Sequence, residues 1–256
     1  MTNTQATIRI AAVSDIHCSR TSQGTLQPLF SQVAELADIL ILAGDLTDYG
    51  LEEEARILIA EMAPVARMPT VAVLGNHDFE SGHPENVRDM LCDAGVTMLD
   101  GETCEFHGVG FAGIKGFGGG FGRGTLGFWG EPATKSFVQE AIDEALKLET
   151  ALARLRNERR VVVMHYSPIA ATVAGEPPEI FPFLGCSRLE EPLMRYPVDV
   201  VVHGHAHGGS PEGRTSGGIP VYNVAHALLQ RALPDRPALR MLEMSLAPEN
   251  TPAPTR

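Results

Sequence analysis

Side chains of the types that hold metal ions recur along this sequence in short groups. They are Asp15 and His17 in DIH, Asp45 after Gly44, Asn76 with His77 and Asp78 in GNHD, His165 alone, and His203, His205 and His207 in HGHAH. Asp45 carries two carboxylate oxygens, so one residue can bridge two ions. Asn76 offers a neutral carbonyl oxygen. His165, His205 and His207 supply imidazole nitrogens, which suit Zn, Fe, Ni and related ions. In an extended DxH, Asp15 and His17 point the same way and grip one ion, because strand side chains repeat every two residues. Gly44, Gly75 and Gly204 precede three of these groups, where a tight turn or a close backbone approach is expected.

Taken singly, each group has an ordinary reading. A DxH at a strand end is commonly a helix cap or a turn. GD and NH pairs are turn chemistry too, and neighbouring histidines on a loop are often solvated. The joint pattern is different. Short apolar runs at Ile8–Val13, Ile39–Ala43, Val71–Leu74, Val161–Met164 and Val198–Val202 read as buried strands. Each runs directly into one of the polar groups. In open α/β sheets the carboxyl ends of strands are where ligands collect. Independent turns are not expected to supply ligand chemistry after every one of these strands.

The intervening stretches Leu26–Ala37, Leu51–Met62, Pro84–Ala94 and Ala133–Arg156 carry apolar residues at helical spacing. Strands alternating with helices imply an α/β layered fold. Further strand-like pieces at Thr97–Leu99, Glu102–Phe106, Val109–Ala112, Val221–Val224 and Leu239–Met244 call for a second, mixed sheet. Two segments lack periodicity: the glycine-rich Gly116–Gly130, and Ile169–Ser187 with Pro177, Pro178 and Pro182. A single domain over residues 1–246 is expected, with a frayed Pro- and Thr-rich tail at 247–256.

With 44% hydrophobic and 20% charged residues, the 256-residue chain has ample material for a core. Its net charge of -12 disfavours a polymer-binding surface, because nucleic acids are held largely by Lys and Arg. It leaves a small phosphorylated substrate open, since bound cations reverse the local field. Cys18, Cys92, Cys104 and Cys186 are scattered without a CxxC pair, so reduced thiols and a cytoplasmic setting are expected. The first residues lack the basic and apolar regions of a signal peptide. No apolar run reaches the roughly 18 residues of a membrane span.

In order, DIH, GD, GNHD, the lone His165 and GHAH resemble the signature of the calcineurin-like metallophosphoesterase superfamily, over residues 15–207. The resemblance implies a four-layer αββα sandwich of two mixed β-sheets flanked by helices. It implies that Asp15, His17, Asp45 and His207 hold one metal, and that Asp45, Asn76, His165 and His205 hold the other. It also implies that His77 contacts the phosphate and protonates the leaving alkoxide, oriented by Asp48, with Asp78 as the alternative orienter. GDLTDYG followed by GNHD is similar to the class III cyclic-nucleotide phosphodiesterases and small bacterial phosphoesterases. Protein Ser/Thr phosphatases carry Arg in place of Tyr49 and Glu in place of Asp78, so the resemblance lends no support to phosphoprotein substrates.

The expected chemistry is hydrolysis of a phosphodiester or phosphomonoester of a small metabolite or nucleotide. Two metals about 3.5–4 Å apart clamp the attacking and leaving oxygens and activate water. They are expected as divalent or mixed-valence ions of Mn, Fe, Zn, Ni or Co, because the mixed N/O donors do not select one. A nuclease acting on nucleic-acid ends and a non-catalytic scaffold of the same fold are the competing readings. Asn76, His77 and Arg123 are the expected substrate contacts, with Arg123 replacing the absent clamp. Gly116–Gly130 lacks P-loop spacing and reads as a mobile surface loop rather than a phosphate cradle. Its Phe117, Phe121, Phe128 and Trp129 stack on a base, pack locally, or form a contact in a homo-oligomer. Ile169–Ser187 is expected to wall the pocket. His203 is read as a buried imidazole behind the ligands, and His226 as structural.

Overall fold

Strict alternation within five short apolar strands sends their side chains to opposite faces, and the computed structural model packs both faces. It describes residues 7–246; the tail expected to fray at 247–256 lies outside the described residues. The elements run β1 (Thr7–Val13), α1 (Gln27–Leu36), β2 (Ile39–Ala43), α2 (Glu52–Glu61), β3 (Thr70–Val73), α3 (Pro84–Asp93), β4 (Thr97–Met98), β5 (Thr103–Phe106) and β6 (Val109–Gly113). They continue with α4 (Pro132–Arg154), β7 (Arg159–Val163), α5 (Phe181–Leu184), α6 (Glu190–Arg195), β8 (Val200–His203), β9 (Glu212–Arg214), β10 (Pro220–Asn223), α7 (His226–Ala232) and β11 (Arg240–Ser245). The strand predicted at Val198–Val202 starts two residues later and ends on His203.

The strands form two mixed sheets, ordered β11-β1-β2-β3-β4 and β5-β6-β7-β8-β10-β9. β1 to β4 are parallel, with β11 antiparallel on the edge. β6, β7, β8 and β10 are parallel, flanked by antiparallel β5 and β9. Three apolar layers separate the four structural ones. Ala11, Val13, Leu40, Leu42 and Ala72 face Phe30 and Val33 of α1, Leu58 of α2 and Leu91 of α3. The opposite side chains of the same strands, among them Ile10, Ile41 and Val73, meet Phe111, Val163 and Val202 between the sheets. Val162, Met164 and Val201 then pack on Ala141, Leu148 and Leu152 of α4. Each large apolar side chain buried this way contributes about 1.5–3 kcal/mol. This is the αββα sandwich that the motif resemblance implies. Among the described residues, no helix is long and apolar enough to cross a membrane.

The arrangement decides where polar residues meet. β1, β2 and β3 belong to one sheet, while β7 and β8 belong to the other. The strand ends named above therefore converge from two facing sheets rather than along the edge of one.

Candidate metal centre

Where the strands stop, the backbone turns sharply. Asp15, His17, Asp45 and His205 all have positive φ, at 54°, 43°, 49° and 67°. The extended DxH geometry expected for Asp15 and His17 is thereby corrected: β1 ends at Val13, and both residues adopt the left-handed conformation. A residue with a side chain held there costs on the order of 1–3 kcal/mol and persists only when its surroundings over-determine it. Parallel pairing continued past the strands supplies part of that. Asp15 N–H donates to the Gly44 carbonyl at 3.0 Å, His17 N–H to that of Asp45 at 3.1 Å, and Cys18 N–H to that of Leu46 at 3.0 Å.

These turns bring the side chains into overlapping groups, two of which share Asp45, while His17, Asp48 and His77 form a third. Asp15, His17, Asp45 and His207 each offer a ligand atom within 4.8 Å of the others, and so do Asp45, His165 and His205. Asn76 joins the second group, its Oδ1 lying 3.0 Å from His165 Nε2. Asp45 belongs to both. Two glycines permit the approach: a Cβ on Gly75 would collide with Asp45 Oδ1 and with its backbone nitrogen, and one on Gly204 with Asp15 Oδ2 and Ser14 Oγ.

Both ring nitrogens of His17 are buried without any hydrogen-bond partner. Buried polar atoms are almost always paired, so this orphaned imidazole fits a centre that receives a cation. The donor set, carboxylate oxygen with imidazole nitrogen, fits one as well. His165 Nδ1 lies 3.0 Å from the Ala43 carbonyl. A carbonyl only accepts, so Nδ1 carries the proton and Nε2 faces the centre bare when the ring is neutral.

The electrostatics reflect crowding of opposite charges. Burial alone would raise Asp45, but the His165 charge and hydrogen bond hold it well below the usual carboxylate range. Asp15 is likewise lowered: burial opposes, and the His207 hydrogen bond and the His165 charge prevail. Burial would lower His165, yet the Asp45 charge lifts it to about 9. Burial takes His205 down to about 4, so this ring is neutral at pH 7.

His77 opens a short turn, His77–Phe79, and its N–H donates to Asp45 Oδ1 at 2.9 Å. Its Nδ1 lies 2.8 Å from the Asp48 backbone carbonyl. The Asp48 carboxylate stands 3.8 Å from His77 Nδ1 and 3.4 Å from His17 Nδ1. Asp48 thus holds His77 through its main chain, while its side chain leans towards His17.

Asp78 does not orient His77. It is fully buried and accepts from Leu46 N–H, from Thr47 N–H and Oγ1–H, and from Gly75 N–H. It clamps the turn after β2 to the turn after β3, while burial pushes its carboxyl up to about 6. Asp78→Ala would strand three buried backbone donors, so a loss of about 3 kcal/mol or more is expected in urea unfolding. A change under about 1 kcal/mol would contradict the clamp.

Other expectations meet mixed outcomes. His203 is buried, with Nδ1 near the Gly204 carbonyl and Nε2 near Thr172 Oγ1, both at 2.8 Å, and so faces away from the centre. Arg123 is exposed and makes no ion pair or hydrogen bond among the described residues. The start of the glycine-rich segment is not a free surface loop. Gly119 N–H donates to Pro182 O and Gly120 N–H to Gly185 O, while Ser187 N–H returns to Gly120 O. Those donors are spent, so Gly119 and Gly120 do not cradle a phosphate. Phe117 packs on Phe137 and Tyr166, and Phe121 on Phe181, whereas Phe128 and Trp129 are exposed. The Ile169–Ser187 segment reaches the centre through the Phe183 carbonyl, 3.0 Å from His205 Nε2. His226 begins α7, its N–H bonded to the Ser14 carbonyl.

Sequence reasoning missed several supports. Ser14 Oγ donates to Asp15, Arg231 to the His207 carbonyl, and Gly208 N–H to Glu176. Tyr166 sets its ring 4.4 Å from that of His205. Ser14, Tyr166 and Gly208 carried a signal, each being the direct neighbour of an expected ligand, whereas Glu176 and Arg231 carried none.

Residues 8–209 match the family model described as calcineurin-like phosphoesterase. The fold is similar to that of phosphopantetheinyl hydrolase from Mycobacterium tuberculosis, at 16% identity and TM-score 0.66, covering 91% of this chain and 95% of that one. It is similar to a putative 5'-nucleotidase from Staphylococcus aureus, at 19% identity and TM-score 0.53, covering 85% and 48%. A purple acid phosphatase from yellow lupin (Lupinus luteus) seeds gives 15% identity and TM-score 0.53, covering 80% and 38%. At such identities the likeness is one of fold. No curated protein matches the sequence significantly.

Proposed function

Because the chain belongs to the calcineurin-like phosphoesterase family, we propose that it is a dinuclear metal-dependent hydrolase of phosphoric esters. Its substrate is a phosphodiester or phosphomonoester of a small metabolite or nucleotide, handled by one domain over residues 1–246 in the cytoplasm. The observation that carries this reading is the sharing of Asp45 between two ligand groups. Asp15, His17, Asp45 and His207 would hold one ion, and Asp45, Asn76, His165 and His205 the other. Mn, Fe, Zn, Ni and Co all suit these donors. When bound, the ions supply Lewis-acid stabilisation of phosphoryl oxygens and make water acidic enough to act as nucleophile near pH 7.

The protein's own groups do the rest. Asn76, itself a ligand, and His77 beside it contact the phosphoryl group. The Asp48 carbonyl accepts from His77 Nδ1–H, which leaves Nε2 to carry the proton delivered to the leaving alkoxide. Asp48 also stands beside His17, where its carboxylate accepts from the second ring nitrogen once the first is committed. The acidic chain argues against a nucleic-acid polymer as substrate.

Proton competition gives a direct test of the ligand set. His165, held at about 9, is protonated at pH 7 in metal-free protein and must lose that proton to bind an ion. Metal titration in buffers of different ionisation heat is expected to read proton release at pH 7, fading as pH rises through about 9. The same release at pH 7 and above pH 10 would contradict a protonated His165 in the metal-free protein at pH 7.

A further inference from the structure

The carboxyl edge of the two sheets does not end at the ligand groups. One strand further along, where β3, β4 and β6 finish, lies a cavity of about 210 Å³ lined by Leu74, Phe79, Met98, Leu99, Arg88 and Lys115, among others. Leu74 lies two residues before Asn76 and Phe79 two after His77. The Lys115 carbonyl accepts the N–H groups of His165 and Tyr166, at 2.9 and 3.1 Å. The cavity and the centre thus share the same short turns.

Side chains connect them as well. Lys115 Nζ lies 4.7 Å from the centre of the Phe117 ring, 5.5 Å from that of Tyr166 and 5.7 Å from that of Phe79. Tyr166 in turn lies 4.4 Å, ring to ring, from His205. Tyr166 therefore stands between the ammonium and the second ligand group. The ammonium gives one hydrogen bond, to the Gly116 carbonyl, and has Glu140 3.7 Å away; an ammonium has three donors. Phe79 is 42% exposed, a large apolar ring left open beside His77.

We propose that this cavity receives the organic arm of the phosphoester. It fits an uncharged alcohol with an aryl or alkyl segment, packed on Phe79, Leu74 and Leu99, while Lys115 donates to an ether or carbonyl oxygen of that arm. The lining also carries Glu85, Arg88 and Asp100; an apolar wall with a few placed polar groups is how ligand sites combine affinity with orientation. The assignment rests on the phosphoesterase reading, and the test separates the two.

Two measurements are needed. Metal-free protein is titrated with 4-phenylbutanol and followed by NMR. Saturable shifts at Phe79, Leu99 and Lys115, lost in Arg88→Trp at the cavity rim, are expected. Metal-loaded protein is then assayed on p-nitrophenyl phosphodiesters whose second arm is methyl or 4-phenylbutyl. The larger arm is expected to raise kcat/KM at least about tenfold, as pocket-filling apolar groups do. In Phe79→Ala and Arg88→Trp the ratio between arms should fall to within about twofold. Absence of saturable shifts, or hydrolysis of both diesters with equal kcat/KM, overturns the cavity assignment and leaves the hydrolase reading standing. Binding of the alcohol without hydrolysis of either diester or of p-nitrophenyl phosphate overturns the hydrolase reading, and the substrate-arm role with it.

Discussion

Asp45→Asn is expected to lower turnover by about 10³-fold or more and to abolish binding at both ion positions together. The side chain is 1% exposed and offers an oxygen to each ligand group. Asparagine keeps the shape but halves the oxygen donors and removes the charge. Its amide N–H groups would face imidazole nitrogens already directed at that space, with His165 Nε2 3.3 Å from Oδ1. Loss of several kcal/mol of charge stabilisation is involved, and each 1.36 kcal/mol is a factor of ten in rate. The remaining amide oxygen can still accept from His77 N–H, so the fold should persist. Circular dichroism beside metal analysis separates misfolding from ion loss. A folded variant binding two ions with unchanged affinity would remove Asp45 from its bridging position.

His77→Ala should cost about 10²–10⁴-fold on esters of poorly acidic alkyl alcohols, the range for a lost general acid. On p-nitrophenyl esters, whose leaving group departs without a proton, the loss should stay within about tenfold. The Asp48 carbonyl sets the ring's tautomer. Because it can only accept, it fixes the Nδ1–H tautomer and leaves Nε2 for the substrate side. The backbone N–H of residue 77 still reaches Asp45 in the variant, so the centre should be retained. Equal losses on both ester classes would show that His77 binds phosphate without delivering a proton. Asp48→Asn, which keeps the carbonyl, should affect the leaving-group dependence far less than His77→Ala.

Much of this arrangement is legible in residue types and spacing. The α/β layering follows from strands and helices in alternation, the four-layer αββα order comes from the motif resemblance, and each polar group sits directly after an apolar run. The convergence of Asp15, His17, Asp45, His165, His205 and His207 is the consequence. What is not legible depends on backbone and on distant chain. The left-handed turns at Asp15, His17 and Asp45 are accompanied by ladder bonds continuing between neighbouring loops, which side-chain type does not encode, while His205 N–H is held by the Asp15 carboxylate from far along the chain. The contact of His77 with the Asp48 carbonyl is invisible for the same reason, since every residue offers a carbonyl. Asp78 looks like a neighbour of His77 in sequence, but the turn sends it inward to three main-chain donors. The glycine-rich stretch reads as loose until Pro182, Gly185 and Ser187, more than 60 residues on, are seen pairing with it.

The central claim is that hydrolysis depends on two ions held around Asp45. Its most direct test is a titration of metal-stripped protein with Mn²⁺, Fe²⁺ or Zn²⁺, following hydrolysis of bis(p-nitrophenyl) phosphate and p-nitrophenyl phosphate against equivalents added. Activity that is absent without metal, rises with at least one of these ions and levels off near two equivalents per chain is the predicted result. Hydrolysis that reaches its full rate before any metal is added, or its absence on both esters at every loading, would contradict it.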